Sequence, residues 1–167
     1  MDIFRRLRQE HARQRDLANR IIDTDAGGKR RQALYRRLKA ELEAHANAEI
    51  RVLYAAALQL PNCQFAARRG LFAHRVMARE LATLDGLDCA SAKWLRGFHR
   101  LREDMEHHAC EEEEFLFPSV AECLHPATAS LMTHDYDARK TGRRTARVRT
   151  APVLVDGCPA GVSEATH

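Results

Sequence analysis

Residues 107–118 read HHACEEEEFLFP, and residues 45–49 read HANAE. Each stretch holds a histidine followed four residues later by a glutamate: His108 with Glu112, and His45 with Glu49. On a helix, side chains four apart lie one turn apart on the same face and reach a common point. Two further histidines, His11 and His74, fall among apolar residues. Imidazoles and carboxylates in an apolar interior are costly without a counter-charge. Two glutamates brought close can share a proton through a raised pKa, but four neutral imidazoles would still lack partners. A pair of cations resolves both difficulties. Each would take two histidine nitrogens and one oxygen from each of two bridging glutamates, leaving one or two positions for solvent or a small ligand. Nitrogen and oxygen donors without thiolate favour iron or manganese over tetrahedral zinc.

Such a site needs elements that carry the six side chains to one level. Apolar spacing predicts four helices, over about residues 2–22, 30–58, 65–84 and 92–121. On the first, Phe4, Leu7, His11, Ala18 and Ile21 share a stripe; on the second, Tyr35, Leu38, Leu42, His45, Glu49 and Ala56 do. The third aligns Leu71, His74 and Leu81, and the fourth Phe98, Leu101, Met105, His108, Glu112, Phe115 and Leu116. His107, Glu111 and Glu114 fall on the side of Arg100, Glu103 and Asp104, so the rest of the glutamate run is read as solvated. Breaks stand at Asp25-Ala-Gly-Gly, at Pro61-Asn62 and around Asp85-Gly86.

An internal repeat supports this frame. His11 to His74, His45 to His108, and Glu49 to Glu112 are each 63 residues apart. The same offset pairs Tyr35 with Phe98, Leu38 with Leu101, Leu42 with Met105, Leu53 with Leu116, and Tyr54 with Phe117. The chain therefore reads as two helical hairpins. The midpoints of consecutive histidines in this set fall at residue 28, between 59 and 60, and at 91, all in the predicted breaks. At ~1.5 Å of rise per residue, antiparallel helices then bring all four to one layer. The expected fold is all-α: an up-down-up-down four-helix bundle over residues 1–125, a short helix within 126–138, and a flexible Arg-rich tail over 139–167.

The chain has 167 residues, 45% of them hydrophobic, enough for one domain with a real core. Its net charge of +4 equals the excess of six basic over two acidic residues in 139–167. The basic character thus belongs to the tail, which has no aromatic residues for stacking on bases, and nucleic acid is not an expected partner. No apolar run approaches the ~20 residues that cross a bilayer, no signal-peptide core stands at the N-terminus, and no membrane is expected as partner. Five cysteines without a Cys-x-x-Cys pair suggest reduced thiols and a cytoplasmic protein.

The order H…HxxxE…H…HxxxE, with LY and LFP after the two HxxxE segments, resembles the hemerythrin-like, HHE cation-binding family over roughly residues 2–125. The resemblance implies a four-helix bundle with a non-heme di-iron centre, oxo- or hydroxo-bridged, with oxygen, nitric oxide or peroxide as small ligand. The matching positions are His11, His45, Glu49, His74, His108 and Glu112, the two glutamates as bridges. Three departures stand out. Ala78 follows His74 where oxygen-carrying relatives have a second histidine, which opens a position on one metal. Helix two ends in LYAAA where relatives have LYP. The basic tail has no counterpart.

The expected function is a di-iron protein that binds or senses oxygen, nitric oxide or iron itself. The alternative is an enzyme acting on peroxide or in oxidative and nitrosative stress protection. Tyr54 is read as a packing residue, because Phe117 at the equivalent position lacks a hydroxyl. The oligomeric state is left open.

Overall fold

A computed structural model describes residues 1–142; residues 143–167, most of the predicted tail, lie outside the described residues. The described residues are helical, without a strand among them. Helices α1 (Ile3–Ile22) and α2 (Lys29–Glu49) form the first hairpin. Beyond Glu49 the second helix continues through a π-helical turn (Ile50–Tyr54) into α3 (Ala55–Ala57). Helices α4 (Gln64–Asp85) and α5 (Ala92–Glu111) form the second hairpin. A second π-helical turn (Glu112–Leu116) leads into α6 (Phe117–Cys123), and α7 (Pro126–Lys140) packs against α1 and α2.

Local chemistry explains the boundaries. The Asp2 carboxylate accepts from the Arg5 backbone N–H at 2.8 Å, and Ser91 Oγ from that of Trp94 at 3.1 Å, satisfying amides that a helix start leaves open. Gly27 lies between the first two helices at φ +72°, where a β-carbon would also sit 2.7 Å from Ala90 Cβ. Buried Arg31 ties this turn to the α4–α5 loop, donating to Thr24 Oγ1 at 3.1 Å and to the Cys89 carbonyl at 3.3 Å. Both hairpin turns are thereby held at one end of the bundle.

The core is divided in two. One half packs Leu17, Ile21, Leu38, Leu81, Trp94, Phe98 and Leu101 towards the hairpin turns. The other packs Ile3, Leu7, Leu53, Leu60, Phe117 and Val120 together with Met132 and Tyr136 of α7. Fully burying one such aliphatic or Phe side chain stabilises the fold by about 1.5–3 kcal/mol. Between the halves lies a layer of buried polar side chains.

Several expectations change. The helix foreseen within 126–138 runs from Pro126 to Lys140, so Arg139 and Lys140 belong to it and not to a tail. Lys140 turns inward to Glu10 and to Glu41, the latter at 2.8 Å, and Arg6 Nε donates to Asp137 at 2.8 Å. Phe115, expected on the apolar stripe, is 62% exposed, because the π-helical turn carries an extra residue and moves Leu116 and Phe117 inward. Cys63, Cys89 and Cys110 carry free thiols. Cys123, in contrast, is disulfide-bonded; the lack of a Cys-x-x-Cys pair does not bear on a single bridge. Among the described residues, no helix is long and apolar enough to cross a membrane.

Candidate metal centre

The polar layer consists of His11 from α1, His45 and Glu49 from α2, His74 from α4, His108 from α5, and Glu112 at the start of the second π-helical turn. All six are between 0% and 6% exposed. His11 Nε2 lies 3.3 Å from Glu112 Oε2, and His45 Nε2 lies 3.1 Å from Glu49 Oε2. His74 Nε2 is 3.4 Å from Glu49 Oε2, and His108 Nε2 is 3.5 Å from Glu112 Oε1. His74 Nε2 and His108 Nε2 face each other at 2.8 Å.

Two groups of four follow. His11, His45, Glu49 and Glu112 offer donor atoms within 4.8 Å of one another, and so do Glu49, His74, His108 and Glu112. Both glutamates belong to both groups. Nitrogen and oxygen ligands at ~2.0–2.2 Å from one cation stand about 3 Å apart, close to the separations found here. Burial argues the same way. His11 Nε2, His45 Nε2, both oxygens of Glu49, and Glu112 Oε2 have no hydrogen-bond partner among the described residues. Such atoms are expensive in an apolar interior, and a bound cation would satisfy each of them.

Proton affinities in the layer differ according to surroundings. Burial disfavours the His11 imidazolium, but the Glu112 and Glu113 carboxylates outweigh it and raise the pKa to about 9. At His108 burial prevails over the pull of Glu112 and lowers the pKa to about 4. Burial presses the Glu49 carboxyl upward, yet His45 and His74 hold it well below the usual range. Glu112 is also held low, as His108 and His11 overcome burial and the charge of Glu49. Both carboxyl groups are thus held towards their ionised form.

Residues outside the six orient them. His11 Nδ1 meets Glu113 Oε1 at 2.8 Å, so Glu113 is not one of the solvated members of the glutamate run. His45 Nδ1 lies 2.9 Å from the hydroxyl of Tyr136, a fully buried residue of α7. Tyr54 is not merely a packing residue, since its hydroxyl donates to Glu112 Oε1. Gly70 permits that contact: a β-carbon there would stand 1.9 Å from the Tyr54 oxygen. The glutamate run and the Tyr54–Phe117 inequality hinted at two of these contacts. Nothing local marks Tyr136, which arrives from a helix 91 residues away from His45.

A small cavity of about 50 Å³ adjoins the layer, lined by all four histidines and, among others, Gln14, Leu42, Glu43, Met77, Ala78 and Met105. Ala78 is exposed at its rim. Gln14 is buried, and its Nε2 has no hydrogen-bond partner among the described residues. Gln14 was legible in principle, three residues after His11 and on the same face of α1.

No curated protein and no solved structure matches the chain. Residues 2–118 match the family model of the hemerythrin HHE cation binding domain. That span includes all six polar residues of the layer and both hairpins that carry them. Helical hairpins meeting on clustered, buried histidine and glutamate donors fit a metal-binding protein, and the chain belongs to the hemerythrin HHE cation-binding family.

Proposed function

We propose that this chain is a non-heme di-iron protein that binds or senses a small ligand such as oxygen or nitric oxide. One iron would be held by His11, His45, Glu49 and Glu112, the other by His74, His108 and the same two glutamates. Iron suits a set of imidazoles and carboxylates without thiolate and with positions left open. The observation that carries the reading is the pair of overlapping buried donor groups beside a small, largely apolar chamber. When bound, the metal pair supplies Lewis acidity and electron storage.

The chain's own residues select what enters. A chamber of about 50 Å³ accommodates a molecule of a few atoms. Leu42, Met77, Leu81 and Met105 make most of its wall apolar and Glu43 adds a carboxyl group, which together favour a neutral guest over an anion. The Gln14 amide is the hydrogen-bond donor placed to meet a polar atom of that guest. Ala78 leaves open the space that a histidine would fill.

Turnover of peroxide is the second reading, favoured by the exposed Ala78 at the rim, through which solvent can exchange. Stopped-flow absorbance separates the two. Iron-loaded protein, reduced without oxygen and mixed with oxygen or nitric oxide, should give a stable and reversible spectral change. Continuous loss of added peroxide would favour the enzyme. Replacing Ala78 by Leu should slow ligand uptake about tenfold, the scale of steric discrimination in an apolar pocket, while metal content stays the same. Unchanged uptake would rule out this chamber as the binding place.

A further inference from the structure

The two halves of the centre carry similar ligands but different supports. In the half held by His11 and His45, each Nδ1 has a partner: Glu113 Oε1 at 2.8 Å and the Tyr136 hydroxyl at 2.9 Å. Glu113 is itself placed, with Arg15 Nη2 at 3.5 Å and Arg8 Nε at 4.0 Å. An imidazole that ligates through Nε2 carries its proton on Nδ1, and a partner for that N–H fixes the tautomer, aims the ring and raises its basicity.

The half held by His74 and His108 lacks this support. Both Nδ1 atoms are buried and without a hydrogen-bond partner among the described residues. Their Nε2 atoms instead stand within hydrogen-bond distance of each other, at 2.8 Å. Binding a cation there requires both Nε2 lone pairs. With both Nε2 atoms turned to the cation, each ring carries its proton on Nδ1, and two buried N–H groups are left unpaired, each at a desolvation cost.

Beyond the small chamber that all four histidines line, access differs in the same sense. On the side of His11 and His45, α7 lies across α1 and α2 and plants Tyr136 against His45. On the other side a surface cavity of about 260 Å³ between α4 and α5 reaches His108 and Glu112, bordered by Gly70, Glu111 and Phe115. An adjoining cavity of about 450 Å³ also reaches His108.

We propose that the two cation positions are unequal: the one held by His11 and His45 fills first and retains its ion, whereas the one held by His74 and His108 is exchangeable through the α4–α5 cleft. This rests on the metal-binding reading above and deepens it, because an exchangeable position makes the centre responsive to the supply of free divalent cation.

Anaerobic titration of the metal-free, full-length chain with Fe(II), followed by calorimetry and by competition with a chelator, tests the proposal. Two binding events are expected with affinities ~10–100-fold apart, the factor attached to loss of outer hydrogen-bond partners. His74→Ala should remove the weaker event and leave the tighter one; His11→Ala should do the reverse. Glu113→Gln combined with Tyr136→Phe should weaken the tighter event alone, so that the two affinities converge. Two events within about threefold, or loss of the tighter event in His74→Ala, would overturn the inequality while leaving the metal site standing. Absence of any Fe(II) binding would instead remove the metal site itself and the inequality with it.

Discussion

Tyr54 and Gly70 act as one unit. The phenol crosses the bundle to donate to Glu112 Oε1, and it can do so only because residue 70 has no β-carbon. Burial, then the charges of Glu112 and Glu49, raise the Tyr54 pKa, so the hydroxyl remains a donor throughout the physiological range. Tyr54→Phe should therefore cost the metal-free protein about 1.5–3 kcal/mol in urea denaturation, the worth of a hydrogen bond to a charged group. The loaded protein should lose less, because a cation takes over Glu112. Gly70→Ala should destabilise by about 1–3 kcal/mol through overpacking. Combining it with Tyr54→Phe should not restore stability, since the ring carbon Cζ would remain 2.6 Å from the new methyl group. At this scale the six inward residues were legible, because the 63-residue offset repeats both their types and their apolar frame. Glu113 and Tyr136 were not legible as supports, because spacing along one helix cannot report which side chains a neighbouring helix presents.

Among the elements, the two π-helical turns stand in equivalent places, directly after Glu49 and beginning at Glu112. Each carries an extra residue and resets the inward face, which is why Leu53 and Tyr54 are both buried, as are Leu116 and Phe117. A reading at a constant 3.6-residue period holds up to the glutamate and slips beyond it, so Phe115 was misjudged. Helix α7 was underestimated for a different reason. Its inward residues, Thr128, Ala129, Met132, Thr133 and Tyr136, are only partly apolar, and its charged end is held by Glu10 and Glu41. The seam between α4 and α5 carries a pH-sensitive contact. Burial and the neighbouring Asp104 raise Glu80 to about 7, above its ordinary value of 4.5. A carboxyl that binds its proton more tightly when folded stabilises most at low pH, and the gain is lost as pH rises through the folded value. The melting temperature of the metal-free protein should thus fall more between about pH 5 and pH 8 in the wild type than in Glu80→Gln. Parallel curves would show that this contact contributes nothing.

At the level of the whole molecule, a charged layer separates two apolar halves of the core. Without a cation that layer holds two ionised carboxylates and several unpartnered nitrogens, so folding and metal binding are coupled. Chelation should lower the melting temperature by on the order of 10 °C, given a few kcal/mol from each occupied site. A melting temperature indifferent to chelation would mean that the layer is satisfied by other means. The bundle was readable from the sequence because three midpoints between histidines fall in breaks, which forces antiparallel neighbours of matched height. The packing of a fifth helix across the first hairpin was not, because no repeat or spacing announces it. Half of the chain's basic excess lies at Arg139 and Lys140, at the end of α7, and the other half beyond Gly142, outside the described residues.

The most direct measurement is iron per chain after anaerobic reconstitution, made on the wild type beside His108→Ala and His107→Ala. His108 is buried among the donors, whereas His107, its neighbour in sequence, has a side chain 68% exposed and faces Glu111. The expected result is a pair of irons in the wild type and in His107→Ala, and no more than a single one in His108→Ala. Equal iron content in all three proteins, or none in the wild type, would contradict the claim that these buried side chains hold two cations.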